Sequence, residues 1–254
     1  MSKTVLITGA TSGIGREFAK RYAALGYRLL LSGRRIERLE ELQSSLNTEV
    51  EYYVCDLSKE EDCIALYNHF DKETIDIFIN NAGFGTTGNF LETSTEKEIS
   101  MAKVNDIAMH LLMKLMLQKM HKQGKGTVLN VASSAGILPG GPYMAAYYAS
   151  KAYMVSLTRG VAVELKEQNS PLYVAALCPG PVDTEFNDNV DVIFALKGIS
   201  VETCVDECLK GMEKKKTIIV PTLPMRLLLT LQHIIPMPLL MKIVARQQKQ
   251  KLNH

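Results

Sequence analysis

Short apolar runs alternate with amphipathic helical segments along most of the chain. The runs lack the period of two that marks a half-exposed strand, so they predict strands buried on both faces, as in parallel sheets. The predicted strands are Thr4–Thr8, Arg28–Ser32, Val50–Cys55, Ile75–Asn80, Thr127–Ala132, Tyr173–Cys178 and Thr217–Val220. Because strand–helix alternation implies right-handed crossovers, the sequence predicts one α/β domain with a doubly wound parallel sheet and helices on both faces.

The helices predicted between these strands follow the spacing of their apolar residues. They extend from Phe18 to Leu25 and over Ile36–Leu46, Glu60–Phe70, Glu96–Lys122, Ala145–Gln168 and Ser200–Lys215. Residues beyond Pro221 are also helical in pattern, but Pro236 and Pro238 divide them into two short helices. We therefore expect one domain over residues 1–222 and a helical C-terminal extension over residues 223–254.

A glycine-rich turn joins the first predicted strand to the first predicted helix. It reads Thr-Gly-Ala-Thr-Ser-Gly-Ile-Gly over residues 8–15. Glycines let the backbone turn tightly and approach an anion closely, and a helix N-terminus offers free N–H groups and a partial positive charge. The turn therefore predicts a dinucleotide pyrophosphate site at Gly9, Thr11, Ser12, Gly13, Ile14 and Gly15.

Several later segments extend this pattern in a fixed order. They are Asn-Asn-Ala-Gly over residues 80–83, Asn105 in a helix, Ser133 after the fifth strand, Tyr147 with Lys151 four residues on, and Pro179-Gly180 after the sixth strand. Over about residues 3–221 the chain resembles the short-chain dehydrogenase/reductase family. The resemblance implies a single Rossmann-type catalytic domain that transfers a hydride between a nicotinamide dinucleotide and a carbonyl or secondary alcohol.

The residues after the second predicted strand indicate which dinucleotide binds. NAD-binding folds usually place an acidic residue here, whereas this sequence reads Ser32-Gly33-Arg34-Arg35. A guanidinium holds a 2′-phosphate that a carboxylate would repel, so we expect NADP, with Arg34 as the main contact and Arg35 either assisting or only capping the second helix. The resemblance implies further cofactor contacts at Asp56, Leu57, Asn81, Ala82, Gly83, Tyr147, Lys151, Pro179, Gly180, Val182 and Thr184.

Tyr147 and Lys151 are four residues apart on one predicted helix, and hence on one face of it. Carbonyl reduction needs a proton donor, and an adjacent ammonium is expected to lower the pKa of a tyrosine from about 10. The resemblance implies that Tyr147 is the acid/base, that Lys151 also holds the nicotinamide ribose, and that Asn105 holds a water in the proton relay.

The position of the catalytic serine is open between two neighbours. The strand register selects Ser133, whereas the family's usual spacing of about 13 residues before the tyrosine selects Ser134. We prefer Ser133, because the loop containing Pro139 and Gly140 can absorb one residue and a register slip would reverse the strand's faces.

The substrate loop is expected over Val182–Ile199, and its apolar side chains are Phe186, Val190, Val192, Ile193, Phe194 and Leu196. These side chains predict an apolar small-molecule substrate, such as a 3-oxoacyl compound or a steroid-like ketone. Two alternatives stay open: an NAD-dependent alcohol dehydrogenase on the same fold, and a catalytically idle dinucleotide sensor. The retained Tyr147–Lys151 pair argues against the sensor.

Charge separates the C-terminal extension from the rest of the chain. The 254 residues carry a net charge of +2, which gives no indication of nucleic-acid binding. From Lys214 to His254 there are eight basic residues and no acidic one, which leaves 21 basic and 27 acidic residues before them. The longest uncharged stretch, Leu227–Met241, is too short to span a bilayer.

Three settings fit this basic and apolar extension. It can pack on its own domain, form a contact in a homodimer or homotetramer, or adhere to a membrane surface. The last setting depends on the basic residues Arg226, Lys242, Arg246, Lys249 and Lys251.

The five cysteines include no Cys-x-x-Cys pair, and no His partner gives zinc-site spacing. A disulfide framework and a metal site are therefore not expected, and a reducing compartment fits better. With no signal peptide at the N-terminus, the expected location is the cytoplasm, with peripheral membrane association left open.

Overall fold

The computed structural model describes residues 2–185 and 198–250. The strands in these ranges are β1 (Thr4–Thr8), β2 (Arg28–Gly33), β3 (Val50–Val54), β4 (Ile77–Asn80), β5 (Thr127–Val131), β6 (Tyr173–Leu177) and β7 (Ile218–Ile219). All are parallel to their neighbours, in the order β3-β2-β1-β4-β5-β6-β7. The doubly wound parallel sheet expected from the sequence is confirmed.

Helices cover both faces of this sheet. They are α1 (Gly13–Ala24), α2 (Ile36–Ser45), α3 (Glu60–His69), α4 (Thr95–Ala102), α5 (Met109–Gln123), α6 (Ala145–Glu167), α7 (Val201–Glu213), α8 (Leu223–Leu231) and α9 (Met237–Gln250). One face of the sheet packs on α1, α2 and α7 through buried side chains such as Phe18, Leu39 and Cys208. The other face packs on α3, α5 and α6, with Leu66 and Leu112 in its core.

The single helix predicted over Glu96–Lys122 is wrong in its middle. The structure divides this range into α4, a π-helical segment over Lys103–Ala108, and α5. π-helical turns frequently mark functional positions. Here the wider turn carries Asn105, whose fully buried amide bonds to neighbouring segments.

The C-terminal extension forms α8 and α9, whose inner sides pack on the α/β domain. Leu240 and Val244 are buried in one cluster with Met144 and Tyr148. Pro238 stands in the first turn of α9, where an N–H group is not required. The described part of the extension therefore shares a hydrophobic core with the rest of the chain.

Two features are absent from the residues that the structure describes. None of their helices is long and apolar enough to cross a membrane. No group of three or more His, Cys, Asp or Glu side chains among them is placed to hold a metal ion.

The predicted apolar side chains of the substrate loop, Phe186, Val190, Val192, Ile193, Phe194 and Leu196, lie outside the described residues, and so does Lys251.

Candidate active site

A cavity of about 510 Å³ opens at the carboxyl ends of the central strands. It lies where the chain leaves neighbouring strands β1 and β4 in opposite directions, which is where doubly wound sheets bind ligands. The predicted site residues that line it are Gly9, Thr11, Ser12, Gly13, Ile14, Arg34, Arg35, Asp56, Leu57, Asn81, Ala82, Gly83, Ser133, Tyr147, Lys151, Pro179, Gly180, Val182 and Thr184. Gly15 and Asn105, also predicted as site residues, are not among its lining residues.

The glycine-rich turn makes a cradle at the start of α1. Gly9 has a φ of +64°, and a Cβ atom on it would lie 2.9 Å from the Cα atom of Ala82. A Cβ atom on Gly15 would clash with the Gly9 carbonyl oxygen. The Ser12 side chain makes no capping hydrogen bond to the first turn of α1, and that turn contains no acidic residue. The N-terminus of α1 therefore suits a phosphate group in the cavity.

Asn81 fastens the loop after β4 to this turn. Its amide nitrogen donates to the carbonyl oxygens of Thr8 and Gly9, at 2.9 and 3.1 Å. The hydroxyl oxygen of Thr8 in return accepts from the backbone N–H groups of Asn81 and Ala82, at 3.0 and 3.1 Å. These bonds fix the distance between β1 and β4 where a dinucleotide would cross the sheet.

Arg34 and Asp56 stand at the β2 end of the cavity. Burial alone would raise the pKa of the Asp56 carboxyl. Hydrogen bonds from Ser58 and the charge of Arg34 outweigh burial, so the pKa of Asp56 is lowered and the carboxylate is ionised at neutral pH. The exposed Arg34 guanidinium therefore reaches into a region that contains a carboxylate and the predicted 2′-phosphate site.

Arg35 has a different setting from Arg34. Its guanidinium bonds to the Thr11 hydroxyl and pairs with Glu185 at 3.1 Å, and the same carboxylate pairs with Arg38 at 2.6 Å. The ion pair joins the loop after β6 to the start of α2, across the glycine-rich turn. Arg35 therefore has a structural role, whereas the exposed Arg34 approaches the cavity more freely.

Tyr147, Lys151 and Ser133 converge at the opposite end of the cavity. Tyr147 and Lys151 lie on one face of α6, and the Lys151 Nζ atom is 5.8 Å from the centre of the Tyr147 ring. Lys151 Nζ donates to the Val131 carbonyl oxygen at 3.1 Å. The Ser133 side chain hydrogen-bonds to Tyr147. These three side chains can surround one carbonyl group.

Burial dominates the proton affinities of this group. It raises the pKa of Tyr147 to about 12, although the Ser133 hydrogen bond opposes it. Burial also lowers the pKa of Lys151 to about 8, against the charge of Asp106, which raises it. The expected lowering of the tyrosine pKa by Lys151 is therefore wrong for this structure, because desolvation of the phenolate is the larger effect. Tyr147 is a protonated phenol at neutral pH.

The two candidate serines differ in their surroundings. Ser133 ends the extended chain after β5, and its hydroxyl accepts from the Ala135 N–H at 3.1 Å while contacting Tyr147. Ser134 begins a short 3₁₀ turn, and its N–H donates to the Pro179 carbonyl oxygen at 2.7 Å. The geometry favours Ser133 as the partner of a substrate carbonyl.

Replacing Ser133 by alanine is expected to lower kcat by about 100-fold, because a hydrogen bond to the reacting oxygen is lost. The matched Ser134→Ala protein should keep kcat within a few-fold of the wild type. Both values come from steady-state oxidation of the reduced cofactor. The opposite order of the two variants would assign the role to Ser134.

Asn105 lies behind Tyr147 and Lys151, and its side chain bonds to two other segments of the chain. Its amide nitrogen donates to the Phe84 carbonyl oxygen at 2.9 Å and to the Ser150 hydroxyl at 3.0 Å. Its Oδ1 atom accepts from the Phe84 N–H at 3.1 Å. A Cβ atom on Gly83 would lie 2.9 Å from this Oδ1 atom and 3.4 Å from Lys151 Nζ. Asn105 thus positions the loop after β4 beside Lys151.

Some lining residues were not found from the sequence. The C-terminal helices contribute Met225, Leu228, Gln247 and Gln248, and α6 contributes Tyr148. Gln248 Nε2 donates to the Tyr148 hydroxyl at 2.7 Å, a contact between positions 100 apart in the chain. Helical periodicity predicted α9 but could not show which of its faces meets the cavity.

Comparison with known proteins identifies the scaffold around this site. The family model described as short chain dehydrogenase matches residues 3–192. The chain belongs to the short-chain dehydrogenase family. It is therefore an oxidoreductase that acts on a carbonyl or alcohol group, and the recognition made from its motifs is confirmed.

Individual family members differ from this short-chain dehydrogenase in most positions. An uncharacterized oxidoreductase of Thermotoga maritima is 36% identical over 72% of this chain and 73% of its own length. A 3-oxoacyl-acyl-carrier-protein reductase of Rickettsia prowazekii is 30% identical over 74% and 76%. A Sphingobium yanoikuyae short-chain dehydrogenase solved with NADPH has a TM-score of 0.80 and 30% identity, covering 87% of this chain and 88% of its own. Solved neighbours hold NADPH in some cases and NAD in others.

Proposed function

We propose that this short-chain dehydrogenase uses NADPH to reduce the carbonyl group of an apolar ketone. The observation that carries the proposal is one continuous cavity with two chemically different ends. Arg34 and the glycine-rich turn line one end, and Tyr147, Ser133 and Lys151 line the other. The NADPH-bound relative from Sphingobium yanoikuyae supports the cofactor assignment.

The residues of the cavity fit a bound nicotinamide dinucleotide. The uncapped N-terminus of α1 and the close backbone approach at Gly9 suit its pyrophosphate, and Asp56 suits the adenine amino group. The loop after β6 passes over the turn, since a Cβ atom on Gly13 would meet Thr184 at 3.2 Å. Bound there, the cofactor supplies the hydride.

The protein's own contribution is to hold the substrate oxygen and deliver a proton to it. The Ser133 hydroxyl donates a hydrogen bond to the carbonyl oxygen, and the Tyr147 hydroxyl donates a second. As the oxygen gains negative charge, the proton on Tyr147 Oη moves to it. The charge left on the phenolate is stabilised by the ammonium of Lys151, 5.8 Å from the ring centre.

The apolar part of the cavity supports the substrate class. Its lining includes side chains from the loop after β4, the loop after β5 and α8, namely Phe84, Leu138, Met144, Met225 and Leu228. Such a wall favours a lipophilic ketone, for example a 3-oxoacyl or steroid-like compound. The Rickettsia reductase acts on a 3-oxoacyl substrate, which agrees with this class.

A panel of 3-oxoacyl thioesters, steroid ketones and small polar ketones tests the activity directly. We expect NADPH oxidation with the lipophilic members and little with the polar ones. NADH oxidation at equal or higher rates would favour the NAD-dependent alternative. Cofactor binding without turnover of any panel member would favour a dinucleotide sensor.

The cofactor preference is expected to depend on Arg34. Arg34→Ala should weaken NADPH binding by about 2 kcal/mol, because the 2′-phosphate loses a charged hydrogen-bond partner, and should leave NADH nearly unchanged. Dissociation constants from calorimetry give both values. Arg35→Ala is the matched control, since its partners Thr11 and Glu185 give it a structural role. Equal losses for both cofactors in Arg34→Ala would contradict the assignment.

A further inference from the structure

The outer side of α8 is an exposed apolar stripe. Leu223, Leu227 and Leu231 follow one another at intervals of four and are 62, 54 and 52% exposed. Ile234 continues the stripe after the helix and is 77% exposed. Residues four apart lie on the same face of a helix, so these side chains are contiguous rather than scattered. The inner side of α8 is formed instead by the buried Met225 and Leu229.

The outer side of α9 combines apolar and basic residues. Leu239 and Ile243 are 52 and 42% exposed, while Leu240, Val244 and Gln248 are buried on the other side. Lys242, Arg246 and Lys249 are exposed next to the apolar pair. We call the exposed surface of both helices the tail face: Leu223, Leu227, Leu231, Ile234, Met237, Leu239, Lys242, Ile243, Arg246 and Lys249.

The charge of the tail face is unbalanced. No acidic residue follows Glu213 in the sequence. Arg226 pairs with Glu207 at 2.8 Å and is therefore not part of this surface. Lys242, Arg246 and Lys249 form no ion pair with an acidic side chain in the described ranges 2–185 and 198–250. Among the described residues, the tail face thus combines three positive charges that lack an acidic partner with seven exposed apolar side chains.

We propose that the tail face rests on an anionic lipid surface. Large apolar side chains beside lysine and arginine fit the boundary between acyl chains and anionic headgroups, where both groups gain contacts. A second copy of the chain is a poorer occupant, because two-fold pairing through this face would bring like charges together. Single exposed apolar residues are normal on proteins, but apolar residues that recur along the outer side of two successive helices mark an interaction surface.

The same two helices also form a wall of the cavity. Their inner residues Met225, Leu228, Gln247 and Gln248 line it. Lipid binding would therefore place the substrate end of the cavity close to the membrane surface. The lipid contact itself does not depend on the proposed reductase activity, and its test needs no turnover.

Tryptophan fluorescence offers a direct test, because the natural chain contains no tryptophan. An Ile234→Trp protein is mixed with vesicles of equal parts phosphatidylcholine and phosphatidylglycerol at low salt. We expect its emission to shift to shorter wavelength, as the indole enters the apolar boundary. Leu25→Trp is the matched control, since Leu25 is 62% exposed after α1 and should show no shift. Equal shifts for both reporters, or none for Ile234→Trp, would overturn the proposal.

Vesicle co-sedimentation tests the charges. Binding to the mixed vesicles should fall about 100-fold in the triple variant Lys242→Gln, Arg246→Gln, Lys249→Gln, since each basic residue contributes about a factor of five. The control triple variant Lys20→Gln, Lys72→Gln, Lys166→Gln removes equal charge elsewhere and should bind like the wild type. Equal losses in both variants would overturn the proposal by showing a nonspecific charge effect.

Size-exclusion chromatography separates lipid binding from self-association. A double variant, Leu227→Ser and Ile243→Ser, should lose vesicle binding and keep the wild-type molecular size. A smaller assembly in this variant, together with no vesicle binding by the wild type, would show that a second copy covers the tail face. That result would overturn the proposal.

Discussion

Replacing Tyr147 by phenylalanine is expected to lower kcat by about 10³-fold, since the proton donor to the substrate oxygen is removed. NADPH binding and folding should persist, because the ring still fills its buried site and the cofactor loses no charged partner. Stopped-flow absorbance gives kcat, and quenching of the cofactor's fluorescence gives its dissociation constant.

The adjacent tyrosine provides a matched control. Tyr148 also lines the cavity and is similarly buried, but its hydroxyl bonds to Gln248 on α9 and not to Ser133. Tyr148→Phe should therefore change kcat by no more than a few-fold. Persistent turnover in Tyr147→Phe, or equal damage in both variants, would refute the role of Tyr147.

Replacing Lys151 by methionine is expected to inactivate the enzyme and at the same time stabilise its fold. The phenolate loses the ammonium beside it, so kcat should fall about 100-fold or more. Burial lowers the pKa of Lys151 to about 8, so keeping it charged at pH 7 costs free energy. Removing the charge relieves this cost, and losing the hydrogen bond to the Val131 carbonyl oxygen offsets part of the gain. The free energy of unfolding should therefore rise by about 2 kcal/mol. Urea unfolding at pH 7 measures this change.

The pH dependence of stability tests the burial of a charged Lys151 independently, because the lowered pKa fixes the direction of the change. The pKa of Lys151 is about 8 in the folded protein and has an ordinary value of 10.5. Between these values the unfolded chain binds more protons, so the free energy of unfolding rises with pH. From pH 8 to 10 the wild type should therefore gain stability relative to Lys151→Met. A difference between the two proteins that is constant over this range would contradict the buried, charged lysine.

Local patterns explain why the fold could be predicted from the sequence. Fully buried parallel strands appear as continuous apolar runs, and the intervening helices have their own period, so each element is encoded within a few residues. The glycine-rich turn is also visible locally, because its glycines and the start of α1 follow one another in the sequence, although the packing of Gly9 against Ala82 is not. The order of elements then predicted the doubly wound sheet, which the structure confirms.

Other features depend on residues that are distant in the chain. The pairing of Arg35 with Glu185 joins positions 150 apart, and no local pattern announces it. The buried amide of Asn105 in the π-helical segment bonds to Phe84 and Ser150, which lie 21 and 45 positions away in the chain. Whether Ser133 or Ser134 faces Tyr147 likewise depends on how the end of β5 packs against α6.

The sequence by itself determined the parallel α/β sheet, the glycine-rich turn before α1, and the order in which the catalytic and cofactor-binding candidates occur. The tertiary structure decided the rest: the direction of the Tyr147 pKa shift, the separate settings of Arg34 and Arg35, and the division of α9 into a cavity wall and an exposed basic face. The physical reason is that burial and long-range pairing are properties of the assembled core. A helical period shows that a segment has two sides, but only packing decides which of them is covered.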